Sequence, residues 1–327
     1  MFNALVLEQK EGKTLSSVKT LELSDLPDED VLVEVSYSSL NYKDGLAVTG
    51  TGKIVHKFPM VPGIDLAGVV KESRSPDYQP GDQVIMTGWS VGERYWGGYS
   101  QYARMKPEWL VKMPEGMDAA KAMSIGTAGL TAMLCVMALE EGGITPDRGT
   151  VVVTGAAGGV GSVAVAILSQ LDYTVAAVTG RESTHEYLRG LGASELLPRS
   201  EMAEPARPLE KQRWAGGIDT VGDTMLARVL AETDYRGTVA ACGLAGGYKL
   251  PTTVMPFILR NVRLQGVDSV MCPVDIRTTA WNRLLTDLPD NALGEIANVI
   301  GLSDVPQAAA DIVAGKIQGR TLVDPNK

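Results

Sequence analysis

The sequence predicts an α/β protein with two domains: a β-rich domain, followed by one with a doubly wound parallel sheet. The chain has 327 residues, and at roughly 150 residues per domain this length suggests about two domains. Short β-prone segments separated by Pro, Gly and Asp turns fill the first third. After Met117 the sequence becomes rich in Ala, Met and Leu, and then strands alternate with helices. Such alternation is typical of a parallel sheet covered by helices.

The first third predicts a small β-barrel or sandwich-like domain. Helical periodicity is nearly absent there, and the turn at residues 79–82 contains the Pro-Gly pair that reverses a chain between strands. The predicted strands are residues 4–7, 31–37, 65–70, 83–87 and 100–104.

The second half predicts a long helix at about 118–141, and then strands and helices in turn. Ser183 and Glu186 have the spacing of a capping box at one helix start, and Gly192 is a helix stop. A short strand at 321–324 is expected to return to the first domain. We therefore predict one domain at 1–122 with 300–327, and a second at 123–299. The predicted strands are 150–154, 174–178, 217–221, 237–242 and 262–268, and the helices are 160–171, 184–191, 224–233, 278–285 and 306–314.

The composition predicts a cytoplasmic protein that binds neither nucleic acid nor a membrane. A net charge of −9 would repel a nucleic-acid backbone. Three cysteines are too few for a disulfide framework, and none forms a CxxC pair. The first 20 residues lack the apolar core of a signal peptide, so no export is expected. The uncharged stretches 122–139 and 149–171 are interrupted by Gly and Thr, which favours a buried core over a membrane span.

Residues 150–162 combine a β-branched strand, a glycine-rich turn and the start of an amphipathic helix. This is the context in which a GxGxxG pattern binds a dinucleotide. The aligned positions are Ala156, Gly158 and Gly161, so alanine replaces the first glycine. A pyrophosphate is expected on the amides at the start of the helix. The residues predicted to bind it are Ala156, Ala157, Gly158, Gly159, Val160 and Gly161.

The end of the next strand predicts NADPH rather than NADH. An NAD-binding protein would place an acid there for the ribose hydroxyls, but this chain has Thr179, Gly180 and Arg181. A guanidinium suits a 2′-phosphate, because it binds phosphate through paired charge-assisted hydrogen bonds. Arg199 is a second candidate for the same phosphate. The alternative for Arg181 is a solvated surface arginine.

Six segments resemble the medium-chain dehydrogenase/reductase superfamily and, within it, the zinc-free, quinone oxidoreductase-like branch of acryloyl-CoA reductase (NADPH). The resemblance covers essentially the whole chain. It implies a GroES-like β-rich catalytic domain and a Rossmann cofactor domain. The segments are SLNYKD at 39–44, PGIDLAG at 62–68, GGYS at 97–100, GTAGLTAML at 126–134, TGRESTHEY at 179–187 and RNVRLQGVDS at 260–269.

The resemblance also implies that no metal takes part. Zinc alcohol dehydrogenases of this superfamily carry a Cys in the segment matching 41–44, and Gly-His-Glu where this chain has Gly63, Ile64 and Asp65. Both ligands are missing, and the two histidines, His56 and His185, are too few for a catalytic zinc site. The expected substrate is therefore an activated double bond rather than an alcohol.

For an α,β-unsaturated thioester, hydride adds to the β-carbon, charge develops on the thioester oxygen, and a proton reaches the α-carbon. The resemblance implies that Tyr42 faces the nicotinamide, where its phenol could pack or donate a proton. Asn41 and Lys43 are candidates to bind the carbonyl or ribose. Asp44 is a candidate to orient Lys43, and Asp65 is a further catalytic candidate. Each of these side chains also has a purely structural alternative.

On the cofactor side, the resemblance implies that Gly243 and Leu244 lie near the nicotinamide. It also implies that Ser269 reaches the carboxamide, and Ile258 is a further candidate contact.

The segment from Arg260 to Ser269 is expected to pair with its copy in a homodimer, the alternative being an internal strand. Lys53, Lys57 and Arg94 lie in loops suited to the phosphates of coenzyme A, but the sequence does not choose among them.

These observations lead to the hypothesis of metal-free, NADPH-dependent reduction of acryloyl-CoA to propionyl-CoA. Two alternatives stay open. One is a quinone or enone reductase that needs no coenzyme A, and the other is a non-catalytic NADPH-binding sensor. The presence of Tyr42 within its full segment speaks against the sensor, although a fold alone does not establish an activity.

Overall fold

The computed structural model describes residues 1–293, 298–317 and 319–327. The chain forms two compact units. The first comprises Met1–Thr127, Ser269–Asn282 and Glu295–Lys327, and the second comprises Ala128–Asp268 and Arg283–Gly294.

The first unit is built mainly from antiparallel strands. Strands β1 and β2 form a two-stranded sheet, and a larger sheet has the order β14-β15-β3-β4-β5-β7, with β6 also paired to β3. The strands are β1 (Phe2–Lys10), β2 (Lys13–Leu21), β3 (Val31–Ser39), β4 (Asp65–Ser73), β5 (Gln83–Thr87), β6 (Tyr102–Met105), β7 (Leu110–Lys112), β14 (Asn298–Ile300) and β15 (Thr321–Val323). The pairing of Leu322 with Ser39 confirms that the last strand returns to this unit.

Helix α1 (Tyr42–Thr49) follows β3 directly, in a region where the sequence predicted almost no helix. Its start is capped, because the Asp44 carboxylate accepts a hydrogen bond from the Asn41 amide at 3.0 Å. Its end is marked by Gly50, whose φ of 69° is left-handed. An apolar cluster that includes Leu5, Leu40, Val48 and Val305 lies against this helix. The helix is therefore held by its cap and by core packing rather than by a long periodic pattern.

Helix α2 (Ala119–Glu141) contains a kink at Gly126, which has φ 53° and ψ −161°. The helix is long and apolar enough to cross a membrane, but 89% of its most apolar 18-residue stretch is buried inside the structure. A core helix of a globular protein has the same properties, so this helix is weak support for a membrane span.

The second unit contains a six-stranded parallel sheet of order β10-β9-β8-β11-β12-β13. The order is that of the doubly wound dinucleotide-binding fold, which confirms the predicted fold class. Its strands are β8 (Val151–Val153), β9 (Val175–Thr179), β10 (Glu195–Pro198), β11 (Trp214–Asp219), β12 (Thr233–Ala241) and β13 (Arg263–Gly266). The remaining helices of the described chain are α3 (Gly159–Gln170), α4 (His185–Gly190), α5 (Arg199–Met202), α6 (Asp223–Glu232), α7 (Met255–Arg260), α8 (Val274–Asp287) and α9 (Val305–Val313).

The predicted capping box at Ser183 and Glu186 is wrong. Ser183 lies within a 3₁₀ turn, and Thr184 is the residue that precedes α4. The Thr184 hydroxyl lies 2.7 Å from the Arg181 carbonyl, to which it donates a hydrogen bond. This bond stabilises the turn, so the helix begins one residue later than the capping pattern requires.

Candidate functional site

The glycine turn after β8 leaves an open approach to the start of α3. A Cβ at Gly161 would lie 2.4 Å from the Gly155 carbonyl oxygen, so only glycine allows this close packing. Gly155 itself has a left-handed φ of 59°. Gly158 precedes the helix and has no side chain that could cap its first amides. The first amides of α3 have no partners within the helix, which makes this end suited to a phosphate.

The residues predicted to bind the pyrophosphate lie in this turn and at the start of α3. Ala156, Ala157 and Gly161 are buried, whereas Gly158 is exposed and Gly159 and Val160 are partly exposed.

A buried carboxylate, which the sequence analysis did not identify, joins three strand ends in this unit. Asp219 at the end of β11 accepts hydrogen bonds from the Thr154 hydroxyl at 2.7 Å and the Gly222 amide at 2.7 Å. Its carbonyl accepts the Cys242 amide at 2.9 Å. Burial raises the pKa of Asp219, while the bonds from Thr154 and Gly222 oppose that rise. Asp219 thereby fixes the segments that follow β8, β11 and β12.

The residues predicted to bind the 2′-phosphate lie at the ends of β9 and β10. Thr179 is buried, with its hydroxyl 2.9 Å from that of Thr184, and Arg181 is exposed just beyond it. A Cβ at Gly180 would lie 3.3 Å from the Arg199 side chain, so glycine lets Arg199 approach the turn. A cavity of about 150 Å³ is lined by Arg199, Val221, Gly222, Asp223 and Gly246, among others. A phosphate in this cavity would lie beside Arg199, and Asp223 is an acidic residue of the same lining.

The remaining predicted cofactor contacts are spread along the chain. A Cβ at Gly243 would lie 2.3 Å from the Thr220 carbonyl oxygen, which explains glycine at this position. Leu244 is 66% exposed, and Ile258 on α7 is 72% exposed. Ser269 belongs to the first unit, where its carbonyl accepts a hydrogen bond from Arg277 at 3.1 Å.

In the first unit, Asp65 is the centre of a buried polar cluster beneath the start of α1. Its carboxylate accepts hydrogen bonds from the Ser39 amide at 2.9 Å and the Asn41 side-chain amide at 2.9 Å. The amide and hydroxyl of Thr127 each donate to it at 3.0 Å. The side chain is fully buried. In the described structure Asp65 holds backbone and side chains in place and is not exposed to a substrate.

Asp44 belongs to the same cluster and does not orient Lys43, so that expectation is wrong. Its two carboxylate oxygens accept the amides of Asn41 and Ile64, each at 3.0 Å. Lys43 instead places its Nζ atom 2.8 Å from the Glu93 carboxylate. The cap explains the difference, because the Asp44 side chain turns back to the amides at the helix start. Burial and the neighbouring Asp65 raise the pKa of Asp44 to about 7.

Arg320 supplies the positive charge of this cluster, and the sequence analysis did not identify it. Its guanidinium donates to the Ser39 hydroxyl at 2.8 Å, the Ser124 carbonyl at 3.0 Å and the Asn41 side-chain oxygen at 3.4 Å. Burial lowers the pKa of Arg320, although Asp65 and Asp44 oppose this effect. A Cβ at Gly126 would lie 2.5 Å from a guanidinium nitrogen, so the kinked glycine leaves room for Arg320.

Tyr42 stands apart from the buried cluster. It is the first residue of α1 and is 49% exposed, whereas Asn41, Asp44 and Asp65 are buried. Among the predicted catalytic residues, Tyr42 is exposed, and Lys43 is partly exposed with its ammonium group paired with Glu93.

A zinc ion does not fit the residues at this position. The Asp44 and Asp65 carboxylates are already surrounded by amide and hydroxyl donors, and the Arg320 guanidinium beside them would repel a cation. Across the described ranges, no group of three or more His, Cys, Asp or Glu residues could hold a metal.

The chain matches two protein families. Residues 27–115 match the alcohol dehydrogenase GroES-like domain, and residues 159–286 match the zinc-binding dehydrogenase family. Among curated proteins, the chain is 63% identical to the probable acrylyl-CoA reductase AcuI of Escherichia coli strain K12, over 99% of each sequence. It is 55% identical to the acrylyl-CoA reductase AcuI of Ruegeria pomeroyi, over 100% of each.

Solved structures show the same similarity. The yhdH oxidoreductase of Salmonella enterica in complex with NADP is 61% identical, with a TM-score of 0.97 over 98% of this chain and 99% of that one. E. coli K-12 YhdH with bound NADPH is 63% identical, with a TM-score of 0.96 and the same coverage. Bacillus subtilis yhfP with NAD bound is 44% identical, with a TM-score of 0.96 over 99% of each chain.

Proposed function

This chain belongs to the medium-chain dehydrogenase/reductase superfamily, and on that premise we propose that it reduces acryloyl-CoA to propionyl-CoA with NADPH. The observation that carries the proposal is the full-length identity of 63% and 55% with two relatives named as acrylyl-CoA reductases. The balanced reaction consumes acryloyl-CoA, NADPH and one proton, and forms propionyl-CoA and NADP⁺. It acts on a carbon–carbon double bond and needs no metal in this proposal.

The residues of the second unit fit the proposed cofactor. NADPH, when bound, supplies the hydride for the β-carbon of the acyl group. The amides at the start of α3 would hold the pyrophosphate. Arg181 and Arg199 would hold the 2′-phosphate, with Thr179 and Gly180 shaping the turn. We assign the cofactor domain to residues 123–299 and the catalytic domain to 1–122 with 300–327, whereas the division into compact units groups Ser269–Asn282 with the first unit.

In the first unit, we assign the contact with the reacting groups to Tyr42. Its exposed phenol can donate a hydrogen bond to the thioester oxygen as charge develops there, or a proton to the α-carbon. Asn41, Asp44 and Asp65 act indirectly in this proposal, because their hydrogen bonds fix the start of α1.

We also propose a cytoplasmic homodimer that forms through the region from Arg260 to Ser269. Strand β13 is an edge strand of the parallel sheet in the described chain, so its outer side is open to pairing. The preceding helix α7 exposes apolar side chains, including Ile258 at 72% and Leu259 at 55%. The three cysteines are free thiols, which fits a reducing compartment.

The test is NADPH oxidation by the purified protein with acryloyl-CoA, in the presence of a metal chelator. Parallel reactions contain crotonyl-CoA, a simple quinone, or NADH in place of NADPH. We expect fast turnover with acryloyl-CoA and NADPH, and slower turnover with crotonyl-CoA, since one added methylene costs roughly 1–3 kcal/mol in a fitted pocket. Preference for the quinone would replace the proposal with a quinone reductase. NADPH binding without turnover of any substrate would favour a sensor.

The assignment of Tyr42 predicts that Tyr42→Phe lowers kcat for acryloyl-CoA by roughly 10²-fold or more, as loss of a positioned proton donor does. KM for NADPH should change little. Steady-state kinetics would measure both values, and Tyr235→Phe, which alters an exposed tyrosine of the second unit, is the matched control. An unchanged kcat would indicate that water or another group, and not Tyr42, donates the proton.

A further inference from the structure

Two surface loops beside α1 are joined into one surface in the first unit. One loop follows α1 at residues 50–59, and the other follows β5 at residues 88–97. The His56 amide donates to the Glu93 carbonyl at 3.0 Å, and the Trp96 indole donates to the Pro59 carbonyl at 3.2 Å. The ion pair of Lys43 and Glu93 links α1 to the same loops at 2.8 Å. The two loops are therefore linked to each other and, through Lys43, to the first turn of α1.

These loops carry an excess of positive charge. Lys53, Lys57 and Arg94 are exposed, and in the described parts of the chain none of them forms an ion pair with a carboxylate. Glu93 is the one carboxylate in the sequence of the two loops, and it already pairs with Lys43. We use the name basic patch for Lys53, Lys57 and Arg94.

Several other exposed lysines of the same unit have acidic partners. Lys19 lies 2.8 Å from Glu8, Lys71 lies 2.9 Å from Glu34, and Lys112 lies 3.2 Å from Asp82. The basic patch differs from these pairs because its charges are not neutralised by neighbouring side chains. In a chain of net charge −9, such a patch provides a local attraction for an anion that the whole molecule would otherwise repel.

We propose that the basic patch binds the phosphate groups of the coenzyme A part of the substrate. The inference rests on the proposed function, which requires a thioester whose far end carries a diphosphate and a 3′-phosphate. Lysine and arginine bind such groups through charge-assisted hydrogen bonds. The patch adjoins α1, whose first residue is Tyr42, so the flexible pantetheine arm would run between the reacting acyl group and the anchored nucleotide.

The test compares two substrates in a variant that carries Lys53→Gln, Lys57→Gln and Arg94→Gln. One substrate is acryloyl-CoA, and the other is acryloyl-pantetheine, which has the same thioester and arm without the phosphorylated adenosine. We expect KM for acryloyl-CoA to rise on the order of tenfold, with kcat unchanged, because three exposed charges are lost. KM for acryloyl-pantetheine should stay the same, and the salt dependence of KM for acryloyl-CoA should become weaker.

The matched control removes the same charge from paired lysines of the same unit, through Lys19→Gln, Lys71→Gln and Lys112→Gln. This control should leave KM for acryloyl-CoA close to that of the unmodified protein. An equal KM for acryloyl-CoA in patch variant and unmodified protein would overturn the inference. So would an equal rise for both substrates, because that result would reflect a general disturbance of the unit.

A binding measurement separates the patch from the proposed reaction. The probe is adenosine 3′,5′-bisphosphate, titrated by calorimetry into protein saturated with NADPH so that the cofactor site is filled. The inference expects binding to the unmodified protein and at least severalfold weaker binding to the patch variant. If the protein does not reduce acryloyl-CoA, the proposed function fails. The titration would still test whether the basic patch binds phosphate groups. Equal binding, or no binding to either protein, would overturn it.

Discussion

At the scale of single residues, we propose that the preference for NADPH depends on the side chains around the end of β9. Arg181 is exposed at the end of this strand, and Arg199 approaches the same turn across Gly180. An acid at this position would repel a 2′-phosphate and bind the ribose hydroxyls instead. In this proposal the choice of cofactor rests on one or two side chains, Arg181 and Arg199.

Arg181→Ala is predicted to raise KM for NADPH by about tenfold or more, because a charge-assisted hydrogen bond of roughly 1.5–3 kcal/mol is lost. KM for NADH should change by less than about twofold, since NADH has no 2′-phosphate. Steady-state kinetics with both cofactors would provide the comparison. Arg189→Ala, an exposed arginine of α4, is the control. An equal rise in KM for NADPH and for NADH would show that Arg181 does not bind the 2′-phosphate.

Residues whose function depends on local sequence could be predicted, and those that act through distant contacts could not. The glycine turn at 155–161 is recognisable because strand, turn and helix are contiguous. Arg320, in contrast, lies 281 residues from Ser39, to which it donates a hydrogen bond. Asp219 meets Thr154 across 65 residues. No pattern in the neighbourhood of either residue distinguishes it from an ordinary charged side chain.

At the scale of elements, short or exposed segments were the hardest to predict from the sequence. Helix α1 has eight residues, which is about two turns, so its apolar side chains do not form a clear period. Strand β2 is largely exposed, and its serines, threonines and lysines do not resemble a core strand. Buried strands such as β8 were predicted because their apolar β-branched residues are continuous.

The kink in α2 is another feature that could not be predicted from the sequence. Residues around Gly126 have helical composition, and the prediction of a single helix at 118–141 was close to the observed bounds. The left-handed φ of Gly126 became visible only with the structure. Glycine is needed at this position because a Cβ would lie 2.5 Å from the guanidinium of Arg320.

At the scale of the whole molecule, the parallel direction of the strands in the second unit could be predicted from the alternation of strands and helices, since parallel strands need crossover helices. The association of two copies is a property that one chain does not display. The open edge of β13 and the apolar surface of α7 support the proposed homodimer.

If the homodimer forms there, Leu259→Glu combined with Val254→Glu should convert it to a monomer, because like charges would face each other across the two-fold axis. Both side chains are exposed, at 55% and 63%. Light scattering after size-exclusion chromatography should then give a mass near 34.8 kDa in place of twice that value. Leu15→Glu, on exposed β2, should remain dimeric. A monomeric unmodified protein would contradict the proposal.

The buried Asp44 links the folding of this chain to the uptake of a proton. Its pKa rises from an ordinary 3.8 to about 7 in the folded protein, so between these pH values the folded chain retains a proton that the unfolded chain releases. Because the folded state binds more protons in this range, the contribution of Asp44 to the free energy of unfolding decreases as pH rises from about 4 to about 7, and is level above that. In a weakly buffered solution inside this window, unfolding would acidify the medium.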